Sequence, residues 1–314
     1  MKPKNIALLE LSLLALFVAL FLWWARPTEP TSDLIPVNAT TTKAVPFFPL
    51  ISIEAQSAYV YDVREGKTLY EKNADESRPL ASLTKLVSAA VAYKLIPSYL
   101  LVRVNADDVR EEGDTGLNVD ESWNIDNLID FSLITSSNDG IHAIARAGGE
   151  EISSTSTDPI GLFVGKMNAF AKDIGLTHTR FLNPSGLDIS PVMSGGYGSA
   201  RDIAMVVDYI LKNSPHLVEA TSMPHTTIAS EIMNHAAVNT DISIPHIPNL
   251  IASKTGFTDL AGGNVVAAFN AGLDHPIIVS VLGSTYDGRF NDLVALVDAT
   301  LKYIVAKDDM QGAT

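Results

Sequence analysis

The pattern of apolar and polar residues predicts strands at both ends of a folded region and helices between them. Residues 57–63 and 67–71 alternate about the tetrapeptide Arg-Glu-Gly-Lys, which is typical of a β-hairpin. Strand-like runs return at 251–258, 264–272 and 275–285. The last two runs are joined by Gly-Leu-Asp-His, so we expect them to form a second hairpin.

Helical periodicity fills the region between these two sets of strands. Residues 82–96 are predicted to form a helix with small residues on its buried face, and the pattern from about 120 to 220 is helical throughout. Four segments in that region carry apolar residues at the helical period: 123–134, 139–147, 160–175 and 200–213. A closing helix is predicted over 290–307.

This order of elements predicts an α/β fold of the α+β type. An antiparallel sheet is assembled from both ends of the domain, helices pack on it, and a mostly helical subdomain is inserted on one side. We expect the cleft between the sheet and the insertion to hold the reactive site, because clefts at such junctions are where ligands bind.

The start of the chain follows a different pattern. Residues 6–24 are almost entirely apolar, and a helix of about 19 residues nearly crosses a hydrocarbon core roughly 30 Å thick. Lysines at positions 2 and 4 favour a cytoplasmic N-terminus, and the tryptophans at 23 and 24 suit the far interface. The sequence predicts a cytoplasmic stub over 1–5 and an uncleaved transmembrane signal anchor over 6–24. A buried core helix is the alternative.

A linker and a single large domain are predicted after the anchor. Residues 25–50 contain five prolines and five threonines without a helical period, which is typical of an extended linker. The domain covers 51–307, and a short tail covers 308–314. The anchor would hold this domain outside the cytoplasm on a membrane that the chain crosses once.

Composition and charge narrow the function classes. The chain carries a net charge of −14 and shows no basic cluster, which argues against a nucleic-acid partner. It has no cysteine, so disulfides and cysteine nucleophiles are excluded. The seven histidines include no His-x-x-x-His pair, and those at 178, 246 and 275 are expected on surface turns. The acidic run at 111–114 is interpreted as a solvated loop, so neither a metal nor another cofactor is predicted.

A serine and a lysine three residues apart form the first candidate site. Ser82 and Lys85 lie in the first turn of the predicted 82–96 helix, where residues i and i+3 share a face. A serine hydroxyl becomes a nucleophile when a neighbour takes its proton, and a lysine can do so when burial or nearby positive charge keeps it neutral. A chain of this length contains roughly one such pair by chance, so the pair alone favours an ordinary helix.

A second motif lies at a break between two predicted helices. Ser136 and Asn138 form Ser-x-Asn there, where side chains can point into a cleft. Another Ser-x-Asn begins at Ser122, which we interpret as the N-cap of the helix that follows it.

The third motif is Lys254-Thr255-Gly256, in a predicted strand. A glycine within a strand often marks a place where a ligand approaches the backbone. Lysine and threonine offer a cation and a hydroxyl that suit a carboxylate. A strand that leads into a glycine-rich turn is the alternative.

Together and in this order, the three motifs are the set found in penicillin-binding proteins and class A β-lactamases. The chain resembles the serine D-alanyl-D-alanine carboxypeptidases, the low-molecular-weight penicillin-binding proteins, over about residues 53–307. The similarity extends to the segments REGKTLYEKNADESRPLASLTKLV, DTGLNVDESWNIDNLIDFSLITSSNDGIHAIA, MNAFAKDIGLTHTRFLNPSGLD and KTGFTDLAGGN. Ser137 departs from the pattern, because glycine or alanine is commoner there. The resemblance implies a β-lactamase/transpeptidase-like fold and a location at the bacterial cytoplasmic membrane.

The resemblance also implies a catalytic role for three residues. Ser82 would attack the carbonyl group between two D-alanines and form an acyl-enzyme. Lys85 would be the general base for that attack. Ser136 would relay the proton toward the leaving amine.

The implied substrate-binding residues are Asn138, Lys254, Thr255, Gly256 and Phe257. Asn138 would hold the substrate amide, and Lys254 with Thr255 would bind the terminal carboxylate. Backbone N–H groups of Ser82 and Phe257 would form the oxyanion hole, in which one donor is typically worth roughly 3 kcal/mol.

These expectations describe a serine-type carboxypeptidase that acts on peptidoglycan stem peptides ending in D-Ala-D-Ala and is inhibited covalently by β-lactams. A DD-endopeptidase that cuts cross-links is an alternative. A serine β-lactamase of class A is disfavoured, because residues 152–218 contain no glutamate to activate the deacylating water. A non-catalytic penicillin-binding sensor is the third alternative.

Overall fold

The structure is a computed structural model that describes residues 16–25, 47–113 and 115–312. The chain divides into two compact units, Met1–Ala44 and Val45–Thr314. In the first unit, residues 16–24 are helical, while the rest of the predicted anchor and the linker residues 26–46 lie outside the described residues. Among the described helices, none is long and apolar enough to span a bilayer.

The described helices and strands are numbered in chain order. The helices are α1 (16–24), α2 (Thr84–Leu95), α3 (Ile125–Ile134), α4 (Asn138–Ile152), α5 (Pro159–Asp173), α6 (Ala200–Asn213), α7 (His216–Glu219) and α8 (Gly288–Gly312). The strands are β1 (Ser57–Asp62), β2 (Lys67–Lys72), β3 (Arg78–Pro79), β4 (Leu101–Arg103), β5 (Ser122–Asn124), β6 (Arg180–Phe181), β7 (Asp188–Ser190), β8 (Met193–Ser194), β9 (Gly196–Gly198), β10 (His225–Ala229), β11 (Asn234–Val238), β12 (Leu250–Thr258), β13 (Gly262–Asn270) and β14 (Pro276–Ser284). Short 3-10 helices cover Ala81–Leu83, Asp108–Arg110, Ala220–Ser222 and Ile244–His246.

The main sheet of the second unit is built from both ends of the domain, as the sequence predicts. Its five strands lie in the order β12-β13-β14-β1-β2, and every neighbouring pair is antiparallel. The first and last parts of the domain meet where β1 pairs with β14, for example Val60 with Val279. Both predicted hairpins, β1-β2 and β13-β14, are present.

Both faces of this sheet are buried, which explains the nearly continuous apolar runs in its central strands. Successive residues of β13 enter two different cores: Val265 packs with α8 on one face, and Val266 packs with the large helical core on the other. Because side chains alternate across a strand, a strand covered on both faces needs apolar residues at every position. The helical core includes α2, α3, α4, α5 and α6, so the predicted helical insertion is confirmed.

The sequence pattern predicts helices throughout the region from 120 to 220, and this expectation is wrong. Four strands, β6 to β9, lie between α5 and α6, and β9 pairs with both β3 and β6. Strands of two or three residues are too short to show an alternating pattern. The hairpin β10-β11 was also not predicted. The closing helix α8 is longer than expected and covers most of the predicted C-terminal tail.

Two local expectations are wrong. Asn124, not Ser122, caps α3, because its side chain accepts a hydrogen bond from the Asp126 N–H while Ser122 lies in β5. His275 is not on the surface: it is 4% exposed, and its Nε2 lies 2.8 Å from Asp62 Oδ2. The pairing of β1 with β14 brings these two side chains together, and no local pattern contains that information.

Candidate active site

Ser82 lies on a tight turn ahead of α2 rather than inside the helix. The turn is the 3-10 helix Ala81–Leu83, and Ser82 itself is half-buried. Ala81 has a φ of 48°, in the left-handed region that side chains other than glycine rarely adopt. Such a conformation costs about 1–3 kcal/mol and is found most often at active sites.

Lys85 is the second residue of α2 and lies fully buried beside Ser82. Its Nζ is 2.7 Å from Ser82 Oγ and 2.6 Å from Asn138 Oδ1, and it donates to the backbone carbonyl of Ser185 at 3.1 Å. Three oxygen atoms therefore surround the amine, and none of them belongs to a carboxylate. The predicted pair of Ser82 and Lys85 is brought together as expected.

The surroundings of Lys85 favour the neutral amine. Burial is the main cause that lowers its pKa well below the ordinary value, and the positive charge of Lys254 lowers the pKa further. The carboxylate of Glu111 acts in the opposite direction. A neutral amine hydrogen-bonded to a serine hydroxyl can accept its proton, which is what a general base must do.

Ser136 and Asn138 lie at the turn between α3 and α4. Ser136 has a φ of 61°, a second left-handed residue at the site. Ser137 is the N-cap of α4: its Oγ accepts from the Gly140 N–H at 2.9 Å and lies 2.6 Å from Thr115 Oγ1. The serine that departs from the family pattern thus has a structural task in this chain.

Both polar atoms of the Asn138 side chain already have protein partners. Oδ1 accepts from Lys85, and Nδ2 donates to the backbone carbonyl of Glu112 at 2.5 Å. This nitrogen carries two N–H groups, so a substrate carbonyl can accept from the second one while the first donates to Glu112. Residues 112 and 113 are exposed, as their composition predicts, and the Glu112 carbonyl also contacts this side chain.

Lys254 forms the second serine–lysine pair of the site. It is 1% exposed, and its Nζ donates to Ser136 Oγ at 2.8 Å and to the Thr255 carbonyl at 2.9 Å. Burial, assisted by the positive charge of Arg289, lowers the pKa of Lys254 to about 7. The Thr255 hydroxyl lies 2.6 Å from Thr240 Oγ1.

Gly256 allows β12 to pass directly beside the nucleophile turn. A Cβ atom at this position would lie 2.9 Å from the Leu80 carbonyl oxygen and 3.0 Å from the Ser82 nitrogen. The glycine does mark a close approach, but to the protein's own backbone. β12 is an edge strand of the main sheet, so some of its backbone N–H groups are left without a strand partner. Phe257 follows, with its side chain 45% exposed.

Two contributors to the site were not identified from the sequence. The Ser185 carbonyl reaches Lys85 from a loop that Ser88 fixes by donating to Pro184 O at 2.6 Å. Arg289, near the start of α8, is 4% exposed and stacks over Tyr286 at 4.3 Å. Its Nε and Nη1 atoms have no hydrogen-bond partner among the described residues. No motif marks this arginine, because only the fold brings its guanidinium near Phe257 of β12.

A cleft of about 520 Å³ adjoins the end of β12. Its lining is Glu112, Leu187, Asp188, Ser190, Pro191, Phe257, Thr258, Asp259 and Leu260. The cleft thus lies next to Phe257 and the loop that contacts Asn138. Within the described part of the chain, no cluster of three or more histidine or carboxylate side chains could hold a metal ion.

The two serine–lysine pairs form one connected arrangement. Ser82 bonds to Lys85, Lys85 bonds to Asn138, and two residues before Asn138 stands Ser136, which bonds to Lys254. This arrangement, set between an antiparallel sheet and a helical insertion, is that of the active-serine enzymes of the penicillin-binding class.

The comparisons with known proteins identify the family. A family model described as D-alanyl-D-alanine carboxypeptidase, Peptidase_S11, matches residues 39–285, and the chain belongs to this family. The D-alanyl-D-alanine carboxypeptidase DacB2 of Mycobacterium tuberculosis is 28% identical over 242 residues, which cover 76% of this chain and 79% of that protein.

Solved structures agree with this assignment. The crystal structure of a D-alanyl-D-alanine carboxypeptidase from Mycobacterium tuberculosis H37Rv superposes with a TM-score of 0.71 at 25% identity, covering 82% of this chain and 96% of that one. Penicillin-binding protein D2 from Listeria monocytogenes, solved in an ampicillin-bound form, gives a TM-score of 0.64 at 26% identity and covers 80% and 98%. The β-lactamase/transpeptidase-like fold expected from the motifs is confirmed.

Proposed function

We propose that this chain is a serine-type D-Ala-D-Ala carboxypeptidase that removes the terminal D-alanine from peptidoglycan stem peptides. The observation that supports this function best is the 2.7 Å contact between Ser82 Oγ and the buried amine of Lys85, whose pKa is lowered mainly by burial. A serine poised beside a neutral amine suits acyl transfer.

The reaction runs in two halves. Lys85 accepts the proton of Ser82, and Oγ attacks the carbonyl carbon of the penultimate D-alanine. The tetrahedral intermediate collapses when the C–N bond breaks, and a proton passes through Ser136 to the leaving amine of the terminal D-alanine. Water then attacks the ester on Ser82, loses its proton to the site base, and releases the shortened peptide with a regenerated serine.

Several groups around the reacting bond would bind the substrate. Lys254 and Thr255 would hold the terminal carboxylate, and Arg289 would add a second cation whose free N–H groups suit a carboxylate. Gly256 would keep β12 close to the Ser82 turn, because it places no Cβ between them. The N–H groups of Ser82 and Phe257 would stabilise the oxyanion.

The alternatives are separated by the leaving group and by the second half of the reaction. A DD-endopeptidase would use the same residues on a cross-linked amide. A class A β-lactamase is disfavoured, because the carboxylate that acts on Lys85 is that of Glu111, which precedes Ser-x-Asn and does not come from a loop after it. A non-catalytic sensor would keep the acylation step and lack turnover.

The N-terminal segment supports a proposal for location. The apolar run over 6–24, with lysines before it and tryptophans at its end, would anchor the chain in the bacterial cytoplasmic membrane. The linker 25–50 would then hold the catalytic domain outside the cytoplasm, where stem peptides are.

The proposed function is tested with benzylpenicillin and the full-length chain. We expect intact mass to show one penicillin added per chain, and no adduct on Ser82→Ala. A stem peptide that ends in two D-alanines should then lose one alanine with the wild-type chain alone. An adduct without alanine release would favour the sensor, and no adduct on the wild type would contradict Ser82 as the nucleophile.

A further inference from the structure

A row of polar side chains runs along one face of α4, starting at the active site. Asn138, His142, Arg146 and Glu150 follow one another at intervals of four residues, and residues at this spacing lie on the same side of a helix. The first three contact the stretch 103–113, which covers this face. Asn138 belongs to the site already described, and His142 does not.

Arg146 and His142 fix this stretch through Asp108, which is fully buried. Arg146 donates to both carboxylate oxygens, with Nη2 2.9 Å from Oδ2, and also to the Arg103 carbonyl at 2.6 Å. His142 Nδ1 lies 2.8 Å from Asp108 Oδ1. The other ring nitrogen, Nε2, lies 3.8 Å from Glu111 Oε1, close enough for an ion pair.

The end of the same stretch is connected to the catalytic lysine through Asn138. The Glu112 carbonyl accepts from Asn138 Nδ2, and Asn138 Oδ1 accepts from Lys85. Gly113, with a φ of 91°, lies so close that a Cβ there would be 3.7 Å from Asn138 Nδ2. Glu111 thus pairs with His142 and directly precedes the residue whose carbonyl contacts Asn138.

We infer that His142 is a positioning residue for Lys85: its imidazolium holds Asp108 and Glu111 against α4 and masks the charge of Glu111 from the catalytic amine. This inference rests on the proposed function, in which Lys85 accepts the proton of Ser82. It assigns a function to the acidic loop, which is to adjust the pKa of Lys85 rather than to bind a metal.

The charges around His142 set the sign of its effect on the pKa of Lys85. The charged groups that face the ring are Asp108 and Glu111 from the loop and Arg146 from α4. The hydrogen bond to Asp108 is the main cause that raises the pKa of His142, while burial and Arg146 oppose the rise. Glu111 raises the pKa of Lys85, so an imidazolium paired with Glu111 reduces that effect and favours the neutral amine. When His142 loses its proton, Lys85 should hold its own proton more tightly.

The test is the pH profile of the rate constant for acylation of the full-length chain by benzylpenicillin. The acid limb of this profile reports protonation of the base. In His142→Asn, the amide nitrogen can still donate to Asp108, but the charge near Glu111 is lost. We expect the acid limb to move up by about 0.5–1 pH unit, so that acylation below the limb falls roughly threefold to tenfold.

Glu111→Gln removes the charge that His142 masks, so its acid limb should move down. In the double variant, the change at His142 should have little further effect, because its target is absent. A shift that persists undiminished in the Glu111→Gln background would mean that His142 acts on Lys85 directly, and would overturn the inference. Glu150→Gln, at the far end of the same row, is the matched control and should leave the limb in place.

The outcomes separate this inference from the proposed function. Failure of the wild-type chain to form an adduct would contradict the proposed function itself. A wild-type adduct with an unchanged acid limb in His142→Asn would contradict only the role of His142. If His142→Asn does not fold in a thermal unfolding measurement, His142→Gln, which also lacks the imidazolium charge, takes its place: an upward shift of its acid limb supports the inference, and no shift overturns it.

Discussion

The two serine–lysine pairs of the site are built in opposite ways. Ser82 and Lys85 are three residues apart on one turn of chain, whereas Ser136 and Lys254 are separated by 118 residues and meet only when the turn between α3 and α4 lies beside β12. Both lysines are buried and both pKa values are lowered, chiefly by burial. The local pair is fixed by the 3-10 turn that leads into α2, and the distant pair reports whether the insertion is docked correctly.

The surroundings of the two lysines also differ. Lys85 faces neutral oxygens, with one carboxylate acting on it from Glu111. The cation Arg289 lowers the pKa of Lys254 and the carboxylate of Asp241 raises it. Two buried cations, Lys254 and Arg289, suit an anion that arrives with the substrate. Lys85 is therefore arranged to take the proton of the nucleophile, and Lys254 to recognise the substrate.

The largest expected effect separates these two tasks. Lys85→Ala removes the base and should lower the acylation rate constant by about 10⁴-fold, while Lys254→Ala should lower it by about 10²-fold. Measurement of adduct formation with time gives both values. Equal losses would show that the two lysines share the proton-transfer task. This result would contradict the assignment of Lys85 to proton transfer and Lys254 to recognition.

The second prediction concerns the place where the two pairs adjoin. Gly256→Ala puts a Cβ atom within 3.0 Å of the Ser82 nitrogen and 2.9 Å of the Leu80 carbonyl, so β12 must move away from the nucleophile turn. Displacement of a site by this kind of contact should cost about tenfold to a hundredfold in acylation.

The control for Gly256→Ala is Gly165→Ala, in α5. A Cβ atom there meets nothing within 4 Å, and alanine favours a helix, so acylation should be unchanged and thermal stability equal or higher. Wild-type acylation in Gly256→Ala would mean that β12 and the Ser82 turn need not touch as closely as they do.

The smallest expected effect is that of removing the N-cap of α4, the residue between Ser136 and Asn138. Ser137→Ala removes the N-cap of α4 and the contact with Thr115, and should cost about 1 kcal/mol of unfolding free energy. Because Asn138 is the next residue, acylation should also fall by a few fold.

Ser199→Ala is the matched variant for this prediction. Ser199 is equally buried and caps α6, where it accepts from the Asp202 N–H at 3.0 Å. Chemical denaturation should show a similar loss for both variants, with acylation affected only by the change at Ser137. A loss of acylation in both would mean that general destabilisation is responsible.

Local sequence patterns are enough to predict the parts of this protein that depend on neighbours along the chain. The two hairpins of the main sheet, the helix that begins after Ser82, and the order of the three motifs all follow from periodicity and short spacing. Periodicity also identified α3 to α6, because each buries one face over two or more turns.

The contacts between residues far apart in the chain are seen only in the folded structure. It placed Lys254 against Ser136, brought Arg289 from α8 to the site, buried His275 against Asp62, and set the acidic loop beside His142. The physical reason is that a charge or hydroxyl acquires its partner, its burial and so its pKa from residues far away in the chain. Local sequence patterns contain no record of those contacts.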